Sequence, residues 1–215
     1  MYKELVKKAE DFVQQTLGQD SSGHDWYHID RVRKKALYIV EKEQKGDRFV
    51  VEMAALLHDI PDDKLNESEA EGYKKLNNFF ERVTINDEAK LHILEIISTI
   101  SFKGGRMMDL PSIEAKIVQD ADRLDAIGAI GVARAFAYGG KKGTPLYDPS
   151  MEVRAEMTLD EYRNGRSSTV HHFYEKLLLL KDRLHTNTAK NIAEKRHEFM
   201  EDFLHQFYNE WNGQA

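Results

Sequence analysis

Cysteine is absent from the 215 residues of this chain. Without a thiol the chain can form no disulfide, supply no thiolate nucleophile and build no cysteine-ligated zinc site. The sequence also lacks any run of about 18 apolar residues, the length that a membrane-spanning helix needs. Its amino end has the pattern of an amphipathic helix rather than of a signal peptide. We therefore expect a cytoplasmic protein with no membrane association.

Positive charge is in the minority. Lysine and arginine total 31 against 37 aspartates and glutamates, and the formal net charge is -6. Proteins that bind nucleic acid polymers or anionic membrane surfaces need a cationic field to attract them. We therefore expect neither partner, and any phosphate-bearing substrate must be captured locally.

Proline is rare, with four residues, and alternating strand patterns are nearly absent. Apolar residues instead recur at helical spacing, for example at Val32, Ala36 and Val40. The length and the 41% hydrophobic content suit one compact unit. The sequence thus predicts an all-α fold in a single domain over residues 1–215.

Two segments have a pattern of their own. Residues 138–149, YGGKKGTPLYDP, are rich in glycine and predict a mobile loop over a site. The final predicted helix, 188–211, carries an aromatic stripe that would be either core or the seam of a homodimer.

Four ionisable residues fall on apolar helix faces or at helix ends beside them: His28, His58, Asp59 and Asp122. Burying any of them alone is costly, but a divalent cation can offset several of these costs at once. Two imidazoles and two carboxylates form a mixed nitrogen and oxygen shell, which suits Mn, Fe, Zn or Co. The pattern therefore predicts a metal site.

Three segments carry a resemblance to a known family: HDWYHIDRV (24–32), LLHDIPDDK (56–64) and VQDADRLDAIGAIGVAR (118–134). With the ordered pattern H…HD…D, they resemble the HD-domain metal-dependent phosphohydrolase superfamily, and most closely the small bacterial YpgQ/YedJ-type HD hydrolases. The resemblance extends into the carboxyl-terminal helices and so covers nearly the whole chain. It implies a helical HD-type domain with a metal-binding core at about 20–130 and a helical extension at about 150–211.

The resemblance also implies roles for individual residues. His28 would be the first metal ligand, the His58–Asp59 doublet would follow, and Asp122 would be the last. Two acidic residues follow the doublet, as in HD hydrolases of the alarmone-synthetase/hydrolase type, so Asp62 is the candidate base or water-orienting group and Asp63 the second choice. Candidate substrate contacts are Lys64, Lys103, Arg123 and His24.

The family's chemistry is hydrolysis of phosphate esters or anhydrides, usually on nucleotides, by metal-activated water. Ala126 stands where the alarmone hydrolases carry an asparagine, which favours a (deoxy)nucleoside triphosphate as substrate, cleaved to a monophosphate and pyrophosphate. Manganese is the preferred ion, and Mg, Co, Ni, Fe or Zn are alternatives. Other candidate functions are a nucleotidase, a cyclic-nucleotide phosphodiesterase and a nucleotide sensor without catalysis.

Several residues have simpler interpretations. HDWYH places His24 and His28 at i and i+4, formally like the HExxH of zinc proteases, but Asp25 is short for that role and fits better as an acid favoured by the helix dipole. Asp122 could pair with Arg31 or Arg123 instead of a metal. Asp125 is more typical of a structural partner. His171 and His172 are either lid contacts or solvated residues at a helix start, and Lys141 and Lys142 could close on a polyphosphate.

Overall fold

The structure is a computed structural model that describes residues 2–18, 25–62, 65–100, 110–154 and 165–214. Within these ranges all regular secondary structure is helical, which confirms the predicted fold class. The α-helices are α1 (Tyr2–Leu17), α2 (Trp26–Glu43), α3 (Arg48–Leu57), α4 (Glu69–Glu81), α5 (Asp87–Ile100), α6 (Ile113–Asp125), α7 (Gly128–Lys142), α8 (Thr169–Glu175) and α9 (Asn187–Trp211), and a 3-10 helix spans Leu177–Arg183. Four predicted site residues lie outside the described residues: His24, Asp63, Lys64 and Lys103.

The described residues form two compact units. The first contains α1 to α5 and continues into α6 as far as Ala121, and the second begins at Asp122 and contains α7 to α9. A division by contacts does not show whether each unit folds independently, so the single domain expected for residues 1–215 stays a prediction.

Helix α3 is the centre of the first unit. It lies against α1, α2 and α5, and every residue from Val50 to Leu57 is buried. The one charged residue in that run, Glu52, is compensated because Arg33 donates to it from Nε at 2.8 Å and the Tyr2 hydroxyl also donates to it. Burial first, and then this hydrogen bond to Glu52, raise the pKa of Tyr2 above its ordinary range. A helix that packs against three neighbours in this way is a rigid support for the residues that follow its last turn.

Aromatic rings fill the second unit. Phe203 of α9 lies 5.8 Å from the ring centroids of both Phe136 and Phe173, and Tyr147 lies 5.0 Å from Trp211. Within the aromatic stripe of the last helix, Phe203 and Phe207 are thus half-buried against other rings, whereas Phe199 and Trp211 keep 45% and 47% of their surface exposed. A homodimer through this helix stays a prediction.

The prediction of a glycine-rich loop at 138–149 is wrong for the first half of that segment. Helix α7 continues through Gly139, Gly140 and both lysines to Lys142, and it ends at Gly143, which takes the left-handed conformation with φ 67°. A glycine inside a helix costs only about 1 kcal/mol relative to alanine, so tertiary packing can override it. Gly139 is buried at a place where a β-carbon would collide with the Thr169 hydroxyl, so its small size lets α8 approach.

None of the helices in the described ranges is both long and apolar enough to cross a membrane. This finding agrees with the mean hydropathy of -0.61 for the chain.

The start of α3 provides a test of the packing of this helix. The Asp47 carboxylate accepts from the backbone N–H groups of Phe49 at 2.7 Å and Val50 at 3.1 Å, while its own N–H donates to Glu114 Oε1 at 2.8 Å. We expect Asp47→Ala to lower the free energy of unfolding by about 1 kcal/mol, because only the side-chain cap is lost. Urea denaturation measures the change. Asp202→Ala, at an exposed position of α9, is the control, and equal stability of the two variants would contradict the capping role.

Candidate metal centre

Three of the four predicted metal ligands meet in the first unit. His28 lies in the first turn of α2, His58 directly follows α3, and Asp59 comes next in the chain. Each offers a ligand atom, and these atoms all lie within 4.8 Å of one another. All three side chains are buried. Such a group could hold a metal ion.

The Asp59 carboxylate lies between the two imidazoles. Its Oδ2 is 3.3 Å from Nε2 of His28 and its Oδ1 is 3.3 Å from Nε2 of His58. The two rings are 5.5 Å apart at an angle of 66°. The two nitrogens and the carboxylate therefore surround one small volume from different directions, as the ligands of a single ion do.

The tautomer of His58 is determined by its other ring nitrogen. Nδ1 lies 2.9 Å from the carbonyl oxygen of Ala55, and because a carbonyl oxygen can only accept, Nδ1 carries the proton and donates. In the neutral ring Nε2 then has the lone pair and points toward Asp59. A backbone carbonyl that orients a histidine in this way is the usual support of a metal-ligating imidazole. The contact with Ala55 could not be predicted from the sequence, because every residue has a backbone carbonyl and the residue type does not show which one binds a histidine.

Helix α2 holds His28 by its backbone. Asp25 is the N-cap, and its carboxylate accepts from the His28 N–H at 2.9 Å. The helix-start role predicted for Asp25 is thus confirmed. The zinc-protease interpretation also requires His24, which lies outside the described residues.

Asp122 is half-buried near the end of α6 and belongs to the second unit. Its assignment as the fourth ligand stays a prediction. Asp125 is buried and forms an ion pair with Arg134 at 2.9 Å, which confirms the structural role expected of it. Asp120, which is not among the predicted site residues, is fully buried on α6. The signal for it was available, because it lies between Ile117 and Leu124 at helical spacing.

The other predicted residues have mixed outcomes. Asp62 is half-buried, and its backbone N–H donates to the Asp59 carbonyl at 3.1 Å, so both carboxylates belong to one turn. Arg123 donates from Nη1 to the Arg183 carbonyl within the second unit, and this contact anchors the end of the 3-10 helix. The roles predicted for Asp62 in catalysis and Arg123 in substrate binding stay predictions.

His171 was expected either as a lid or phosphate contact or as a solvated residue at a helix start, and the solvated alternative is wrong. The residue is buried, Nε2 lies 3.0 Å from the Met151 carbonyl oxygen, and Nδ1 lies 2.6 Å from the Ser168 hydroxyl. Nε2 must donate to the carbonyl, so Nδ1 accepts from the serine. Nearby, burial alone would raise the pKa of Glu175, but hydrogen bonds from Arg154 and Ser167 hold it below its ordinary range. These hydrogen bonds connect α8 to residues 151–154 and 167–168 within the second unit.

Comparison with known proteins gives the family. The HD domain model matches residues 25–127, the range that contains all four predicted ligands. The protein YpgQ of Bacillus subtilis is 45% identical over 213 residues, covering 95% of this chain and 93% of YpgQ. This chain belongs to the HD-domain family. Like others of the family it is a metal-dependent hydrolase.

Solved structures of bacterial proteins have the same fold as this chain. An HD-superfamily hydrolase from Bacillus thuringiensis is 48% identical with a TM-score of 0.77 over 100% of both chains. A Lactobacillus plantarum protein is 34% identical with a TM-score of 0.89 over 99% of both chains. YpgQ itself was solved in complex with ADP, and that structure has a TM-score of 0.75 at 40% identity, covering 97% of this chain and 96% of that chain.

The ligand group of this HD protein can be tested by metal titration. We expect His58→Ala and Asp59→Ala to lose measurable Mn²⁺ binding, because each removes one of the few donors and leaves the others without a complete shell. Isothermal titration calorimetry of the metal-free protein measures the Mn²⁺ affinity. His205→Ala, which changes an exposed histidine of α9, should bind Mn²⁺ like the parent chain. Parent-like affinity in either site variant would exclude that residue as a ligand.

Proposed function

We propose that this HD protein hydrolyses a phosphoanhydride bond of a nucleotide, with a (deoxy)nucleoside triphosphate as substrate and a monophosphate and pyrophosphate as products. The observation that carries the proposal is the buried group of His28, His58 and Asp59, whose donors fit a divalent ion. The ADP in the YpgQ structure supports a nucleotide ligand. Ala126, which differs from the asparagine of the alarmone hydrolases, favours a simple triphosphate over an alarmone.

In this proposal the two imidazoles and the Asp59 carboxylate hold the ion, and Asp122 completes the shell. The mixed nitrogen and oxygen donors suit Mn, Fe, Zn or Co, and manganese is the ion that we propose. When bound, a divalent ion lowers the pKa of its water and neutralises charge on phosphoryl oxygens. The three donors of the first unit carry one negative charge and Asp122 would add a second, so a divalent ion would leave the ligand group neutral, and the ion itself would be the local attraction for phosphate in a chain with a net charge of -6.

Asp62 is the proposed general base. Its position in the turn after Asp59 brings a second carboxylate to the same segment without adding it to the described ligand group. The carboxylate would take a proton from the attacking water as the new bond to phosphorus forms and the anhydride bond breaks, and pyrophosphate would leave. Asp63 is the alternative base. Lys64, Lys103 and His24 are the proposed phosphate contacts, and Arg123 is the weaker candidate because its Nη1 already donates to Arg183.

The substrate can be identified with a panel of nucleotides. The metal-free protein is loaded with Mn²⁺, Mg²⁺, Co²⁺ or Ni²⁺ and offered nucleoside triphosphates, diphosphates, monophosphates and cyclic nucleotides, with phosphate and pyrophosphate measured separately. We expect pyrophosphate from a triphosphate. Phosphate from a monophosphate would instead make it a nucleotidase, and hydrolysis of a cyclic nucleotide a phosphodiesterase. Binding without turnover for every metal would make it a sensor.

The role of Asp62 separates catalysis from metal binding. We expect Asp62→Ala to lower kcat about 10²–10⁴-fold, the usual contribution of a general base, while Mn²⁺ affinity is unchanged. Steady-state kinetics and metal titration of the same preparation measure both. Asp202→Ala, at an exposed position of α9, is the matched control. A fully active Asp62→Ala variant would remove Asp62 from the mechanism.

A further inference from the structure

One side chain outside the ligand group holds the turn that carries Asp59 and Asp62. The amide nitrogen Nδ2 of Asn66 lies 2.8 Å from the carbonyl oxygen of Ile60 and 2.8 Å from that of Asp62. Ile60 directly follows the ligand Asp59. Asn66 thus bridges two carbonyl groups of the turn from outside it, and both hydrogens of its amide are used.

The orientation of this amide is fixed from its other end. Lys75 of α4 donates from Nζ to Asn66 Oδ1 at 2.8 Å. Carbonyl oxygens can only accept and an ammonium group can only donate, so the three contacts are consistent with a single placement of the amide oxygen and nitrogen. Asn66 therefore links α4 to the turn through one defined geometry.

Helix α4 also supports the turn by direct contact. A β-carbon on Gly72 would lie 2.5 Å from Pro61 Cα and 2.8 Å from Asn66 Nδ2, so only glycine lets the helix approach this closely. The hydrogen bonds of the turn itself are local, from Ile60 N–H to the Leu57 carbonyl at 3.1 Å and from Asp62 N–H to the Asp59 carbonyl at 3.1 Å. They set the curvature of the turn, but they do not attach it to its surroundings.

We propose that Asn66, oriented by Lys75, is a positioning residue for the metal centre and for the base. Its two hydrogen bonds hold the carbonyl groups of Ile60 and Asp62, the residues on either side of Pro61, and through them the directions of the Asp59 and Asp62 carboxylates. A carboxylate that serves two imidazoles at 3.3 Å each tolerates little rotation of its backbone. The part that concerns Asp62 rests on the proposed function, whereas the part that concerns Asp59 rests on the metal site alone.

The test compares two changes at Asn66 with one at Lys75. Asn66→Ala removes the bridge, and Asn66→Asp keeps an acceptor for Lys75 but cannot donate to either carbonyl. Lys75→Met keeps the bridge and removes only the group that orients it. Asn77→Ala and Lys74→Met, at exposed positions of the same helix, are the matched controls.

Mn²⁺ affinity of the metal-free protein is the first measurement, with circular dichroism and the thermal midpoint recorded alongside. We expect both Asn66 variants to bind Mn²⁺ at least about tenfold more weakly, as when the support of a metal ligand is lost. Lys75→Met should show a smaller loss, because the exposed ammonium group is screened by solvent. The controls should match the parent chain.

Kinetics under saturating Mn²⁺ are the second measurement. For the Asn66 variants we expect kcat to fall while KM for the nucleotide stays near the parent value, because the turn positions the reacting groups and not the substrate. A merely structural residue would lower the thermal midpoint without this division between kcat and KM. If the parent chain binds Mn²⁺ but hydrolyses no nucleotide, the proposed function fails, and the Mn²⁺ titrations still decide the role of Asn66.

Two results would overturn the inference. One is parent-like Mn²⁺ affinity in folded Asn66→Ala and Asn66→Asp. The second applies if those two variants do not fold. In that case, parent-like Mn²⁺ affinity together with parent-like kcat in Lys75→Met, which retains the bridge, would overturn the inference.

Discussion

The contact between Asp59 and His58 is the constraint on which the site depends. Since Nδ1 of His58 donates to the Ala55 carbonyl, its Nε2 presents a lone pair to a carboxylate oxygen only 3.3 Å away. Two acceptors at that distance repel each other unless a cation lies between them, either a proton on Nε2 or a metal ion. His28 presents Nε2 to the other oxygen of the same carboxylate at the same distance. One divalent ion can serve both contacts at once, whereas a proton on Nε2 of His58 would make that buried ring an imidazolium.

The helices deliver these donors by their ends. His28 is in the first turn of α2, where Asp25 fixes its backbone, and His58 follows the last residue of α3, the most buried helix described. A ligand at the end of a helix that is packed on every side has little freedom to move, and a rigid donor gives a precise site. The same arrangement has a cost, since the charged Glu52 must be paired within the unit to let α3 be buried.

The features that were predictable are those that periodicity encodes. His28 falls on the stripe of Val32 and Ala36, so its burial followed from helical spacing, and the doublet followed from the apolar run before it. The α7 boundary was missed because glycine has a small helix penalty and Gly139 gains close packing against Thr169. His171 was missed because the carbonyl of Met151, which holds it, comes from a segment 20 residues away. Asn66 shares this property: its contacts with backbone carbonyls do not depend on the side chains of the residues that supply them.

The charge of the Asp59 carboxylate links the residues that hold the 58–62 turn to the binding of the substrate. The chain is acidic overall, but that repulsion is screened beyond roughly 8–10 Å at physiological salt, so a polyphosphate responds mainly to charges that it touches. In the described ligand group the Asp59 carboxylate is the only donor with a formal charge, and the direction of that carboxylate therefore decides how strongly an ion is held. At metal concentrations that do not saturate the site, an ion held more weakly occupies it less often, and the site then attracts the phosphate less. The backbone of the 58–62 turn thus affects substrate capture through the ion, although no side chain that fixes the turn need touch the substrate.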